Sequence, residues 1–226
     1  MNGNGLVVSE DEVGWVNLVD NLESETKVEI AMSVDTEAER LNCNIKNVLI
    51  GYDAFAVKKK YDDQEEKLVN YINNQGLQDI IKLRSANYEA NNKPYFVAIE
   101  GSNELEVAGD KIIIKPFLGF PIAKNSLIQK KRNYPVDFVY KSAKSISTTI
   151  NIPDGYESSA LPEPYRLEND LVSINLEFSE QSNAIKAVGI YKFKKAVYQP
   201  EDYSRIKSAL DSIVERFNAQ IVLSKY

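Results

Sequence analysis

A chain of 226 residues without a single histidine lacks the usual general base near neutral pH and the commonest nitrogen ligand for metals. Ser-His-Asp and Cys-His catalysis are therefore excluded for this chain on its own, and a zinc site would have one cysteine and carboxylates only. A formal charge of −6, with 43% hydrophobic and 27% charged residues, describes a globular chain without the broad positive surface that nucleic acid requires.

No apolar run reaches the roughly 18 residues of a membrane-spanning helix, so no membrane span is expected. The start, Met1-Asn2-Gly3-Asn4-Gly5, has neither the positive charge nor the apolar stretch of a signal peptide. That leaves a cytosolic protein or a fragment whose export signal has been removed. One cysteine allows no internal disulfide and does not decide between them.

Val28, Ile30, Met32 and Val34 alternate with Lys27, Glu29, Ser33 and Asp35, the period of a half-buried strand. Leu41, Cys43 and Ile45 share one face of a second strand. Residues 51–60 predict a short helix. Asp62 or Asp63 then offers an N-cap, Glu65 and Glu66 suit the first turn, and Gly76 stops the helix in the left-handed conformation. This helix, near residues 62–75, turns Leu68 and Ile72 toward the sheet. Further strands are predicted near 77–84, 95–100 and 111–115, with Gly101 and Gly109-Asp110 as turn residues.

Residues 116–135 hold three prolines and little periodicity, and predict a connection with a domain boundary near Asn133. Phe117, Leu118, Phe120 and Leu127 imply that it packs down. Beyond it, Ile146, Thr148, Ile150 and Ile152 share a strand face, and Pro153-Asp154-Gly155 turns the chain. Val172, Ile174, Leu176 and Phe178 mark the next strand. Residues 185–193 are apolar on both faces, as in a central or doubly covered strand. Pro200 opens a helix near residues 200–218, with Glu201 and Asp202 at its positive end. Its seam is Tyr203, Ile206, Leu210, Ile213 and Phe217, spaced three and four apart. An apolar strand, residues 221–225, closes the chain.

The expected fold is therefore mostly β, of the α+β class: two antiparallel sheet or sandwich domains, residues 1–132 and 133–226, each with a packed helix.

The order Tyr134-Pro135-Val136-Asp137-Phe138, Ile152-Pro153-Asp154-Gly155-Tyr156, Leu161-Pro162, Tyr203 and Ile221-Val222-Leu223-Ser224-Lys225 resembles a known arrangement. It is that of the domain of unknown function following a transglutaminase-like core in envelope proteins of Bacteroidetes-type bacteria. Gly51-Tyr52-Asp53-Ala54 and the 109–114 segment resemble the stretch between that core and the tail. The resemblance implies a periplasmic, cell-surface or secreted location and an upstream transglutaminase-like domain as partner. In that family the catalytic triad lies in the core, so no catalytic residue is carried over.

The candidate sites are weighed against plain structural roles. Cys43 is the one possible thiol nucleophile, but its strand position favours an inert, buried side chain. Asp35, Glu37 and Glu39, and Asp53, Asp62 and Asp63, offer oxygen ligands for calcium without the pattern of an EF-hand loop. Paired carboxylates could serve a glycosidase, though solvation accounts for any given pair. Tyr88, Tyr95, Tyr156 and Tyr165 lie in or beside turns, where they could stack on a glycan or simply pack. There is no Gly-rich phosphate loop.

No catalytic, cofactor-binding or metal-binding residue is assigned, and no cofactor is expected. The function expected is that of a non-catalytic accessory module docked on a catalytic core. The alternative is a stand-alone envelope module that binds carbohydrate or a protein partner, and a third is a carboxylate-dependent hydrolase.

Overall fold

Alternating apolar residues make strands with one dry face, and such strands bury that face only by lying side by side under a common cover. The structure, a computed structural model, describes residues 4–9, 12–17, 23–61, 64–90 and 92–226. The first half contains β1 (Asn4–Val8), β2 (Val13–Asn17), β3 (Glu23–Asp35), β4 (Arg40–Ile50), α1 (Tyr52–Tyr61), α2 (Glu65–Asn73), β5 (Asp79–Ala86), β6 (Tyr95–Glu104), β7 (Glu106–Ala108) and β8 (Lys111–Ile114). The second contains β9 (Val136–Asp137), β10 (Lys141–Asn151), β11 (Tyr156–Ala160), β12 (Tyr165–Glu168), β13 (Val172–Gln181), β14 (Ala184–Phe193), β15 (Val197–Tyr198), α3 (Tyr203–Phe217) and β16 (Ile221–Lys225). The fold is mostly β, of the α+β class.

An eight-stranded sheet runs in the order β12-β13-β14-β10-β3-β4-β6-β5. Every neighbouring pair is antiparallel except β10 and β3, which run parallel from Lys141 beside Glu23 to Asn151 beside Ser33. That pair is the seam between the two halves of the sequence. A second sheet, β11-β16-β8-β7, sets the final strand between β11 and β8.

The expected boundary at 132/133 therefore does not separate two sheets. Four strands from each side of it form the large sheet, and β8 from before it pairs with β16 from the end. The reason lies partly in residues 116–135. Phe117, Leu118, Phe120 and Leu127 are all buried, so this connection is part of one continuous core. Thr148 Oγ1 donates to the Pro116 carbonyl at 2.6 Å and pins its start to β10.

The large sheet covers one face. Val28, Ile30 and Met32 on β3, Ile146 and Ile150 on β10, and Ile185 and Ala187 on β14 are buried, while the alternate residues face outward. β14 is central, as its apolar run suggests, but Ile190 on its other face is exposed. Leu68 and Ile72 of α2 are buried, as is the whole α3 seam from Tyr203 to Phe217. Five buried apolar side chains at ~1.5–3 kcal/mol each make α3 a principal support of the fold.

The expected N-caps Asp62 and Asp63 lie outside the described residues. Gln64 precedes α2 in extended conformation and makes no side-chain cap. Gly76 has φ +84°, the left-handed conformation expected past the helix end. The chain then returns tightly: a Cβ on Gly119 would stand 2.9 Å from the Gln75 carbonyl.

Candidate functional site in the sheet seam

Several polar side chains stand on the dry side of the sheet. Thr26 shares the buried phase of β3, Asn47 that of β4, Lys144 that of β10 and Tyr191 that of β14. The strand register lines three of them up. Lys144 pairs with Thr26 on one side, across the parallel seam, and with Tyr191 on the other.

Asp53 reaches this row from the first turn of α1. Its Oδ2 accepts a hydrogen bond from Thr26 Oγ1 at 2.8 Å, and its Oδ1 accepts one from the Tyr140 hydroxyl at 3.0 Å. Local sequence explains the placement. Gly51 takes φ +66° to turn the chain from β4 into α1, and the Tyr52 N–H donates to buried Ser24 Oγ at 2.8 Å. The Tyr52 ring stacks on Tyr140 with centroids 5.0 Å apart.

Thr26, Asp53, Tyr140, Lys144 and Tyr191 line a cavity of about 390 Å³. Leu49, Val57, Phe138, Phe193 and Leu210 supply its apolar walls. The Lys144 ammonium donates to the Phe120 carbonyl at 2.9 Å, and among the described residues it has no carboxylate within ion-pair distance. Lys144 is half-buried as a whole residue, and its ammonium is strongly desolvated. Burial lowers the pKa of the ammonium, and Asp53 partly offsets this.

The hydroxyls respond in the other direction. Burial, reinforced by Asp53, pushes Tyr140 up to about 12. Burial, then Tyr61 and Asp53, raises Tyr71 to about 12, with neighbouring Asn47 pulling slightly the other way. Burial raises Tyr191 as well. All three are neutral hydroxyls near pH 7. The Asn47 amide is buried beside Tyr71, and neither its oxygen nor its nitrogen makes a hydrogen bond of good geometry.

The residues singled out in the sequence are mostly elsewhere. Cys43 is 1% exposed under the sheet, its thiol faces the Leu41 carbonyl at 3.7 Å, and burial pushes it up to about 12. Asp35 closes the β3–β4 turn, with Oδ1 accepting from the N–H groups of Glu37 and Ala38. Asp53 sits apart from that cluster, in the seam. Among the described residues no group of three or more His, Cys, Asp or Glu is placed to hold a metal ion.

Of the four tyrosines, Tyr95 is buried beneath Lys58, and Tyr88 meets it edge-on. Tyr165 packs under Arg216 and donates to Ser212 Oγ at 3.3 Å. Tyr156 is half-buried. They form no exposed row. No described helix is long and apolar enough to cross a membrane.

A different surface is apolar. The ribbon of β1 and β2 exposes Leu6, Val7, Val8, Val13, Trp15 and Val16, with Val8 and Val13 at 68% and Trp15 at 72%. The outward face of the large sheet holds a shallow groove whose lining includes Glu29, Lys46, Lys82, Arg84 and Glu100.

The family model of a domain of unknown function with solved structure, DUF3858, matches residues 110–223. The chain belongs to the DUF3858 family. The matched span starts just before β8 and ends within β16, two strands that pair directly. The DUF3858 unit thus takes in β8 and the 116–135 connection, and it supplies Tyr140, Lys144 and Tyr191 to the seam, whereas Thr26 and Asp53 come from outside it. A solved structure from Parabacteroides distasonis ATCC 8503, described as a candidate protease, is similar at a TM-score of 0.44 and 16% identity, over 52% of this chain and 24% of that one. This chain therefore spans about a quarter of that protein's length. No curated protein matches the sequence.

Sequence reasoning missed Lys144, Tyr140, Tyr71, Tyr191 and Thr26. The signal for Lys144 was present: counting back by two from Ile150 and Ile146 puts a lysine on the inward face of β10.

Proposed function

We propose that this DUF3858 chain is a non-catalytic accessory module that packs on a transglutaminase-like core in a larger periplasmic or cell-surface protein. The observation that carries the reading is the exposed apolar ribbon. A two-stranded ribbon is marginal in water by itself, and a contiguous exposed apolar surface marks a place where another surface belongs. The patch is what an accessory unit presents to the core it serves.

The chemistry supports the same reading. With no histidine in the sequence, Cys43 would need another activating base, and it is sealed below the sheet with its thiol held neutral. The sequence resemblance to the tail of transglutaminase-like envelope proteins names the core. The ribbon also fits a second reading, in which it receives a separate protein partner in the envelope.

Detection of the native gene product separates the two. An antibody to the chain should reveal, in the envelope fraction, a species much larger than 25.5 kDa, whose peptides include a transglutaminase-like domain. A species of 25.5 kDa that co-purifies with a separate protein would favour the second reading.

A further inference from the structure

The seam cavity contains two opposite charges that do not satisfy each other. The Lys144 ammonium has three donors, and one is used, on the Phe120 carbonyl. The Asp53 carboxylate has about four lone-pair sites and accepts two hydrogen bonds, from Thr26 and Tyr140. The two groups are beyond ion-pair distance, yet both line the same 390 Å³ space. A charge in the interior with open hydrogen-bonding capacity is costly until a partner completes it.

The positions are built in. Asp53 is held on two sides, and Tyr140 is in turn stacked on Tyr52. The walls between and around the charges are apolar and aromatic: Leu49, Val57, Phe138, Tyr191, Phe193 and Leu210. Lys124 adds a second positive group at the lining. The volume falls within the roughly 300–1,000 Å³ of small-molecule sites, which are mostly apolar with a few fixed polar groups.

We infer that this cavity is a binding site for a zwitterionic small molecule with an apolar body, of the class of free α-amino acids with large apolar side chains. The ligand carboxylate completes Lys144, its ammonium completes Asp53, and its side chain lies against the aromatic walls. A simple carboxylate would leave the Asp53 acceptors uncompleted, and a simple amine would leave the Lys144 donors so. A zwitterion satisfies both and brings no net charge into the interior. This site is independent of docking through the ribbon, so either reading can fail without the other.

The test is titration of the whole chain with L-phenylalanine, followed by two-dimensional amide NMR. Shifts should concentrate at Thr26, Asp53, Tyr140, Lys144 and Tyr191. 3-Phenylpropionate and 2-phenylethylamine, each carrying one of the two charges, should bind at least about tenfold more weakly. Lys144→Met, checked for a native amide spectrum, should weaken L-phenylalanine by a similar factor. The comparison of ligands needs no variant and holds even if that substitution disturbs folding. Absence of shifts at roughly millimolar L-phenylalanine, or equal binding of either singly charged analogue, would overturn the inference.

Discussion

The Tyr140 hydroxyl donates to the Asp53 carboxylate across 3.0 Å and so ties α1, from the first half of the chain, to the start of β10 in the second. Thr26 holds the other oxygen of the same carboxylate. Hydrogen bonds to a charged group contribute about 1.5–3 kcal/mol each, so Tyr140→Phe should cost about that much in urea unfolding. Asp53→Ala should cost more, because it strands two donors. A double-mutant cycle of Tyr140→Phe and Asp53→Asn should show coupling. Strictly additive effects would mean that the bond does not join the halves.

Alkaline pH should destabilise the fold, and the sign follows from the direction of each shift. Tyr71 and Tyr140 titrate near 12 in the folded chain against 10.0 ordinarily, and Cys43 near 12 against 9.0. Raised acids favour folding below their ordinary values, and that contribution is lost as pH climbs through the folded ones. For Tyr71 it is on the order of 2–3 kcal/mol. Lys144 acts in the opposite sense: its lowered pKa makes the unfolded chain hold the proton better, so stability rises with pH up to about 10.5. The thermal midpoint should fall most steeply between pH 10 and 12, and Tyr71→Phe should flatten that fall. A midpoint level across this window would contradict the burial of these hydroxyls.

Cys43 should not react with iodoacetamide at pH 8 in the native chain and should label fully in denaturant, as read by intact mass. Both its burial and its raised pKa oppose attack, because the thiolate is the nucleophile. Rapid native labelling would show an open thiol.

Much of this architecture is readable from periodicity. The inward faces of β3, β4, β10 and β13 follow from alternation, and the α3 seam follows from its three-and-four spacing. Pairing across long distances does not. Nothing local in Lys141–Asn151 says that it will lie parallel to Glu23–Asp35, or that Ile221–Lys225 will enter between β8 and β11. The seam site is half legible for the same reason. The inward phases of Lys144 and Thr26 can be counted, but their meeting with Asp53 depends on that non-local register. β1 and β2 were missed because their apolar residues face solvent, so burial leaves no alternating pattern there.

Gly189 is a close-approach position on β14. A Cβ there would stand 2.4 Å from a ring carbon of Phe217 and 3.2 Å from one of Phe117, both fully buried. Neither ring can withdraw without moving α3 or the 116–135 connection. Gly189→Ala should therefore cost about 1–3 kcal/mol by overpacking, read as a lower urea midpoint with unchanged slope. Wild-type stability in this variant would mean that α3 does not press on the sheet as described.

The proposed docking is tested most directly by analytical ultracentrifugation of the 226-residue chain mixed with the separately expressed transglutaminase-like domain proposed as its partner. A one-to-one complex should form, and Val8→Ser with Trp15→Ser should abolish it while leaving the thermal midpoint of the chain unchanged. Two species that sediment independently at concentrations of about 100 μM, with the ribbon intact, would contradict the account.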